Sequence, residues 1–412
     1  MTGESSSSVT RTQKGMALYR RALELIPGGT QTNAKRPPAE LCGVYPPYIV
    51  RGEGGYVWDL DGNRYVDHKL GCGPVILGHD YPAVVEAVMR QLRDGLVFGS
   101  AHPLEVELAE LLIQLIPCAE MVRFLKSGAE GTSAAVRLAR AHTGRDTVIS
   151  CGYNGWQDWS MAKNSAVAGI PAAVRALTLD LGFGDEEGLK EVFCERGNEI
   201  AALVVAAPYD RGLEEIGGFL RQARELTQRC GAVLVYDEIV TGFRVALGGI
   251  QEATGIVPDL AVFSKGMANG FPIAAVAGRR KFMAAWERTV ISSTFGGEAC
   301  SLAAALATVR ELKERCVPQV LARRGAWLKE EALRLGEELG VPMRAAGFDS
   351  LPHIAPAVGK EAAMAFQRAL LENGVFPYYP LWYLCYAHDE AALQESARGL
   401  RAALAAVREV GG

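Results

Sequence analysis

The stretch Ala232-Val-Leu-Val-Tyr-Asp237, continuing as Glu238-Ile239-Val240-Thr241-Gly242-Phe243-Arg244, is an unbroken apolar run that ends on a carboxylate. A second run, Leu260-Ala-Val-Phe-Ser264, ends just before Lys265 and continues as Gly266-Met267-Ala268-Asn269-Gly270. Runs that are apolar throughout, rather than alternating, read as strands of a mostly parallel sheet covered by helices on both faces. Ligands of such sheets gather at the carboxyl ends of the strands, which singles out Asp237 and Lys265. A desolvated lysine amine has a depressed pKa and can form a Schiff base, while a buried carboxylate can hold a pyridine nitrogen protonated. Pyridoxal 5′-phosphate needs both groups. An arbitrary lysine and aspartate would more often be a solvated loop residue and a helix cap, so the rest of the chain has to decide.

Further strands are expected near Thr147–Cys151, 200–207 and 274–277, alternating with helices that include one carrying Leu108, Leu111, Leu112 and Leu115. This alternation begins near Pro103 and predicts an α/β fold. Upstream, a helix over 14–25 should end at Pro27-Gly28-Gly29, and 56–67 reads as two short strands around Asp61-Gly62-Asn63. That Asp-Gly-Asn lacks the remaining spacing of a calcium loop, and no metal site is expected. The helical, charged stretch 310–339 and a terminal helix over 390–407 belong to a smaller α+β lobe. The expected division is a disordered N-terminus at 1–12, an N-terminal part of the small lobe at 13–60, a large ligand-binding domain at 61–310 and a C-terminal small domain at 311–412.

The 412 residues leave ample core to bury a cofactor. A net charge of −4, spread over interspersed acids and bases, gives no footprint for nucleic acid or an anionic membrane, which leaves small molecules as partners. Nine scattered cysteines, none in a Cys-x-x-Cys pair, argue against a disulfide framework or zinc site. Met1-Thr-Gly-Glu-Ser5 has neither a basic start nor an apolar core, so the expectation is a cytoplasmic protein.

Two more strand ends bear candidate groups. Lys126-Ser127-Gly128-Ala129-Glu130-Gly131-Thr132 precedes a helix whose free N–H groups and positive dipole end suit a phosphate, although such a Ser-Gly turn is usually only a cap. Cys151-Gly152-Tyr153-Asn154-Gly155-Trp156 places glycines on either side of an aromatic, which lets its ring approach a flat ligand, although Tyr153 and Trp156 taken alone read as core.

Together, in order, these motifs resemble the class-III aminotransferases of the fold-type-I pyridoxal-phosphate superfamily, nearest the glutamate-1-semialdehyde aminomutase-like branch. The likeness covers nearly the whole chain and rests on segments 40–79, 127–144, 153–159, 236–249, 263–279 and 293–307. It implies that Lys265 is the Schiff-base lysine and that Asp237 pairs with the pyridinium nitrogen. Tyr153 and Ile239 would cover the two ring faces, with Ser127, Gly128 and Ala129 at the phosphate. Thr294, in Ser293-Thr294-Phe295-Gly296-Gly297, would reach the phosphate of a neighbouring subunit, which implies a homodimer with shared active sites. Glu130 matches a family acid, although a helix-dipole role explains it equally well.

Three positions depart from the commoner pattern. Asn154 stands where Tyr-His-Gly has its histidine, Ala207 replaces the glutamate of a Glu-Pro strand end, and Ala129 replaces a threonine or serine. Lys35 or Arg36 occupies the region in which the aminomutase branch places a substrate-binding arginine, though a solvated basic pair is the commoner reading. Lys35, Arg36, Asn154, Trp156 and Ala207 are therefore the candidate substrate residues. The resemblance then implies transfer from an amino donor, L-glutamate, to a carbonyl such as an oxidised sugar or aminoglycoside-type intermediate of secondary metabolism. The alternatives are an aminomutase or epimerase on the same scaffold, or a non-catalytic cofactor-binding homologue.

Overall fold

The fold was read from a computed structural model that describes residues 11–162 and 168–411. Contacts divide the chain into two units. One takes the described residues up to Cys72, Gly78–Tyr81 and Arg323 onward; the other takes Gly73–Leu77 and Pro82–Ala322. The boundaries therefore fall at 72 and 322, not at the expected 60 and 310. The first shift has a local cause, because the strand Arg64–His68 pairs with Val375–Pro377 and so stays with the C-terminal part.

The smaller unit opens with the helix Gln13–Leu25 and then the strands β1 (Ile49–Glu53), β2 (Tyr56–Asp59) and β3 (Arg64–His68). The Asp59 carboxylate accepts the backbone N–H groups of Asp61 and Asn63 at 3.0 and 2.8 Å, so the Asp-Gly-Asn segment is a turn closed by the side chain of the residue two before it. Of the stretch 1–12 expected to be disordered, residues 1–10 lie outside the described residues. Arg11 sits 5.2 Å over the Tyr65 ring and Thr12 is fully buried, so the unit already begins there.

The larger unit contains β4 (Met121–Leu125), β5 (Thr147–Cys151), β6 (Thr178–Asp180), β7 (Ile200–Val205), β8 (Val233–Asp237), β9 (Leu260–Phe263) and β10 (Ala274–Gly278). They form one sheet in the order β4-β10-β9-β8-β7-β5-β6. β5 to β9 run parallel, while β10 is antiparallel to both of its neighbours. β5, β7, β8, β9 and β10 are buried at every position, which is why their sequences do not alternate. The helix Gly128–Thr143 packs Ala135, Leu138 and Ala139 into the core that holds Val204, Val235, Val262 and Val276.

The chain closes in the smaller unit with β11 (Met343–Ala346), β12 (His353–Pro356), β13 (Val375–Pro377) and the helix Glu390–Gly411. β1, β2, β3 and β13 form one sheet, and β11 pairs with β12. The charged stretch 310–339 is not one helix. Ala299–Glu314 ends at Arg315, Cys316 takes a left-handed φ of 50°, and Val317–Leu339 starts afresh with Pro318 in its first turn, where a missing N–H costs nothing.

Two histidines are fully buried in the smaller unit. His68 Nδ1 meets the Tyr383 carbonyl at 3.1 Å and so carries the hydrogen, which leaves Nε2 to accept from the Ser396 hydroxyl at 2.7 Å. Its ring centroid lies 4.5 Å from that of His388. Burial pushes the His68 pKa down to about 4 and that of His388 well below its usual value. Both rings titrate near 6.5 when unfolded. Their contribution to stability is therefore complete above about pH 6.5 and is lost as pH falls toward 4, by about 3 kcal/mol for His68 alone. Urea unfolding between pH 7 and 4.5 should show this slope, and His68→Gln should reduce it, leaving the part due to His388.

Candidate active site

The register of two neighbouring strands builds the site. β8 and β9 are parallel with Asp237 opposite Val262, so the carboxylate and Lys265 leave adjacent strand ends on the same edge of the sheet. Asp237 is buried and accepts the Ile239 N–H at 3.1 Å. Burial raises its pKa to about 7 against the opposing effects of that hydrogen bond and of the Lys265 ammonium. Lys265 opens a single 3₁₀ turn, Lys265–Ala268, with a backbone φ of 36°. A non-glycine residue held there costs on the order of 1–3 kcal/mol and needs support from its surroundings. Ser264 supplies some, donating its hydroxyl to the Ile273 carbonyl at 2.7 Å.

The turn after Asp237 is fixed by buried groups that the sequence did not single out. Glu238 accepts the hydroxyl of Thr241 and the N–H groups of Ile250 and Gln251, at 3.0 and 3.2 Å for the latter two. Burial raises its pKa to about 7. Arg244, also buried, donates to the Gly73 carbonyl at 2.9 Å.

Ser127 caps the helix Gly128–Thr143, and Glu130 completes a capping box by accepting the N–H groups of Lys126 and Ser127, both at 2.9 Å. Glu130 thus acts on the helix end itself. The Glu130 N–H turns back to Ser127 Oγ at 3.3 Å, which leaves the first two helical N–H groups, of Gly128 and Ala129, directed at the helix mouth for an oxyanion. Gly128 has Ile239 beside it: an added Cβ would stand 2.4 Å from Ile239 Cδ1.

The aromatic turn meets the same place. Gly155, at φ 113°, approaches Ala129 so closely that a Cβ would lie 2.8 Å from that of Ala129. Tyr153 and Trp156 are 69% and 73% exposed, so neither is the core aromatic that each would be taken for alone. Asn154 points inward, its amide donating to Ser150 Oγ at 3.1 Å and to the Gly152 carbonyl at 3.2 Å, with its Oδ1 buried and unpartnered. Ala207 is buried at the end of β7, beyond Ala206, whose carbonyl Gly152 approaches.

The larger unit thus gathers Ser127, Gly128, Ala129, Tyr153, Asp237, Ile239 and Lys265 at the carboxyl ends of its strands. Thr294 belongs to this unit as well and is exposed. Lys35 and Arg36 belong to the smaller unit. Lys35 lines a cavity of about 440 Å³ there with Asp67, Lys69 and Cys72, and Arg36 has its guanidinium against Gly28. The buried Lys69, bonded to the Ala34 carbonyl at 2.8 Å and to the Tyr45 hydroxyl, was not anticipated. Nor was the pair of Lys126 with Glu298, at 2.9 Å, whose members are too far apart in sequence for any spacing to link them.

These residues fit pyridoxal phosphate. The free N–H groups at the helix mouth suit its phosphate, and a carboxylate whose pKa burial raises, with Lys265 offsetting that only in part, suits its pyridinium. Fold and site define a fold-type-I pyridoxal-phosphate enzyme. Residues 43–375 match the family model "Aminotransferase class-III". The 3-aminobutyryl-CoA aminotransferase of Cloacimonas acidaminovorans (strain Evry) is 31% identical over 410 residues, which cover 96% of this chain and 98% of that protein. A glutamate-1-semialdehyde 2,1-aminomutase of Chloroflexus aurantiacus is 38% identical over 353 residues, covering 81% and 79%. Among solved structures, the FumI protein of Sphingopyxis sp. MTA144, in its PLP internal aldimine form, superposes with a TM-score of 0.89 at 29% identity, covering 97% of this chain and 98% of that one. An omega-transaminase from Sphaerobacter thermophilus gives 0.87 at 29%, covering 96% and 98%. The chain belongs to the class-III aminotransferases and is a pyridoxal-phosphate-dependent transaminase.

Gly155→Ala tests the convergence of the aromatic and helix-capping turns. The left-handed φ and the 2.8 Å approach to Ala129 should together cost about 1–3 kcal/mol in urea unfolding. The same variant should show a several-fold higher half-saturation for pyridoxal phosphate.

Proposed function

We propose that the chain moves the amino group of L-glutamate to a carbonyl compound of the oxidised-sugar or aminoglycoside-intermediate class, in secondary metabolism and in the cytoplasm. The observation that supports the chemistry is the β8–β9 register, which gives a buried acid and a lysine adjacent strand ends. Lys265 is the amine that holds the cofactor and, once displaced by the donor, takes the proton from the carbon bearing nitrogen and returns it elsewhere. Asp237 would keep the ring nitrogen protonated, Tyr153 and Ile239 would cover the ring faces, and the N–H groups of Gly128 and Ala129, at the turn that Ser127 caps, would serve the phosphate. When bound, pyridoxal phosphate supplies the carbonyl that accepts the amino group and the ring that withdraws electron density.

Two features favour the substrate class. Ala207 places a buried methyl group where a glutamate is common, which removes a negative charge and the bulk of a longer side chain. Trp156 exposes an aromatic face of the kind that packs on the C–H face of a sugar ring. Asn154 acts through the shape of its turn.

The functional unit is a homodimer in which Thr294 serves the neighbour's phosphate. Supporting this, Thr294 and Phe295 are exposed, as are Leu96, Val97 and Phe98. The two segments are tied together where Ala299 N–H donates to the Leu96 carbonyl at 2.9 Å. Exposed large apolar side chains on two segments joined in this way suit a protein interface.

A second reading, an aminomutase, is favoured by the 38% identity to the Chloroflexus aurantiacus protein. The two differ in their need for a second substrate. L-glutamate added to the purified enzyme should convert its visible band to that of the pyridoxamine form and release 2-oxoglutarate; an enzyme unchanged by any amino donor would be an isomerase. Lys265→Ala should lower kcat/KM by about 100- to 10,000-fold or more, as for a positioned proton-transfer group, and Asp237→Asn by on the order of 100-fold.

A further inference from the structure

Lys126 stands one residue before the phosphate turn, at the end of β4, and its ammonium reaches two other segments. It donates to Glu298 Oε2 at 2.9 Å and to the Pro272 carbonyl at 3.1 Å. Pro272 lies on the path from the Lys265 turn into β10. Glu298 directly follows the loop 293–297 and caps the helix Ala299–Glu314 through the N–H groups of Cys300, at 2.7 Å, and Ser301, at 3.2 Å. The two side chains are only 17% and 11% exposed, and against burial, which pushes it up, the Ser301 hydroxyl, Lys126 and the Cys300 N–H hold the Glu298 carboxyl below its usual pKa. The loop is also seated on the same strand, since a Cβ on Gly296 would lie 3.1 Å from the Phe124 carbonyl oxygen.

One ammonium therefore joins the phosphate turn, the exit of the Lys265 turn and the loop that carries Thr294. We propose that Lys126, through Glu298, is a positioning residue that couples cofactor binding at its own site to the placement of loop 293–297 in the partner's site. Filling one site of the dimer thereby strengthens the other. This rests on the homodimer reading above.

The physical ground is the cost of separating a largely buried ion pair. Moving the turn without the loop leaves a charge without its partner in a poorly solvated place, so the two segments shift together. Coupling between two binding sites is reciprocal, so either site of the dimer can be the first to fill. Neither Lys126 nor Glu298 needs to touch the cofactor for this.

The test is a titration of the apo-protein with pyridoxal 5′-phosphate, followed by the absorbance of bound cofactor and by Tm, with the oligomeric state measured by sedimentation. Wild type should be a dimer that loads with a Hill coefficient of about 1.5, within the range expected of modest site-to-site coupling. Lys126→Met should load non-cooperatively, with a half-saturation raised about 10-fold, a size expected of typical coupling energies. Lys126→Arg should recover most of the cooperativity, and Glu298→Gln, which keeps the helix cap but loses the charge, should follow Lys126→Met. A merely structural role would lower Tm in all variants and leave the Hill coefficient alone, which would overturn the proposal. So would independent loading of the wild type, or a wild-type monomer. Lys265→Ala separates the levels: if it leaves the absorbance of bound cofactor unchanged, the functional reading of Lys265 itself has failed.

Discussion

The carboxylate of Asp237 is the constraint around which the larger unit is arranged. An acid buried at a strand end, with one backbone N–H for company, is unstable as an anion, and its pKa rises to about 7 in consequence. In the protein without cofactor this cost grows as pH climbs from the ordinary carboxylate range through 7. A cation placed against the carboxylate removes it. Lys265 lowers the pKa in part, and a pyridinium would complete the compensation. The acid thus stores a preference for one kind of ligand, and the parallel register of β8 and β9 puts the lysine that holds that ligand one strand away.

Close approach is the second theme. Gly128 and Gly155 are places where a methyl group would collide with Ile239 and Ala129, so the turns that serve ring and phosphate are packed on each other. The same compactness explains why Asn154 faces inward and why Glu238 and Arg244 are spent on backbone groups. These residues keep loops rigid at an edge of the sheet where regular hydrogen bonding has ended.

Much of this was legible in the chain itself. β5, β8, β9 and β10 were readable as apolar runs, and the ends of β8 and β9 supplied both central residues. β4 and β6 were not, because β4 is only half buried with Arg123 outward, and β6 has three residues. The break at Cys316 was hidden by the charged, helix-favouring residues on both sides of it. The exposure of Tyr153 and Trp156 depends on the glycines that lift their turn, and sequence could only suggest it. Contacts made by single long side chains, such as Lys126 with Glu298 or Lys69 with Tyr45, leave no periodic trace.

The most direct measurement is the ¹⁵N NMR shift of the ring nitrogen in enzyme loaded with ¹⁵N-labelled pyridoxal phosphate, followed across pH in wild type and Asp237→Asn. A nitrogen that stays protonated through neutral pH in the wild type, and loses its proton in the variant, is the expected result. A nitrogen that is unprotonated in the wild type, or indifferent to the substitution, would contradict the role given to the buried carboxylate.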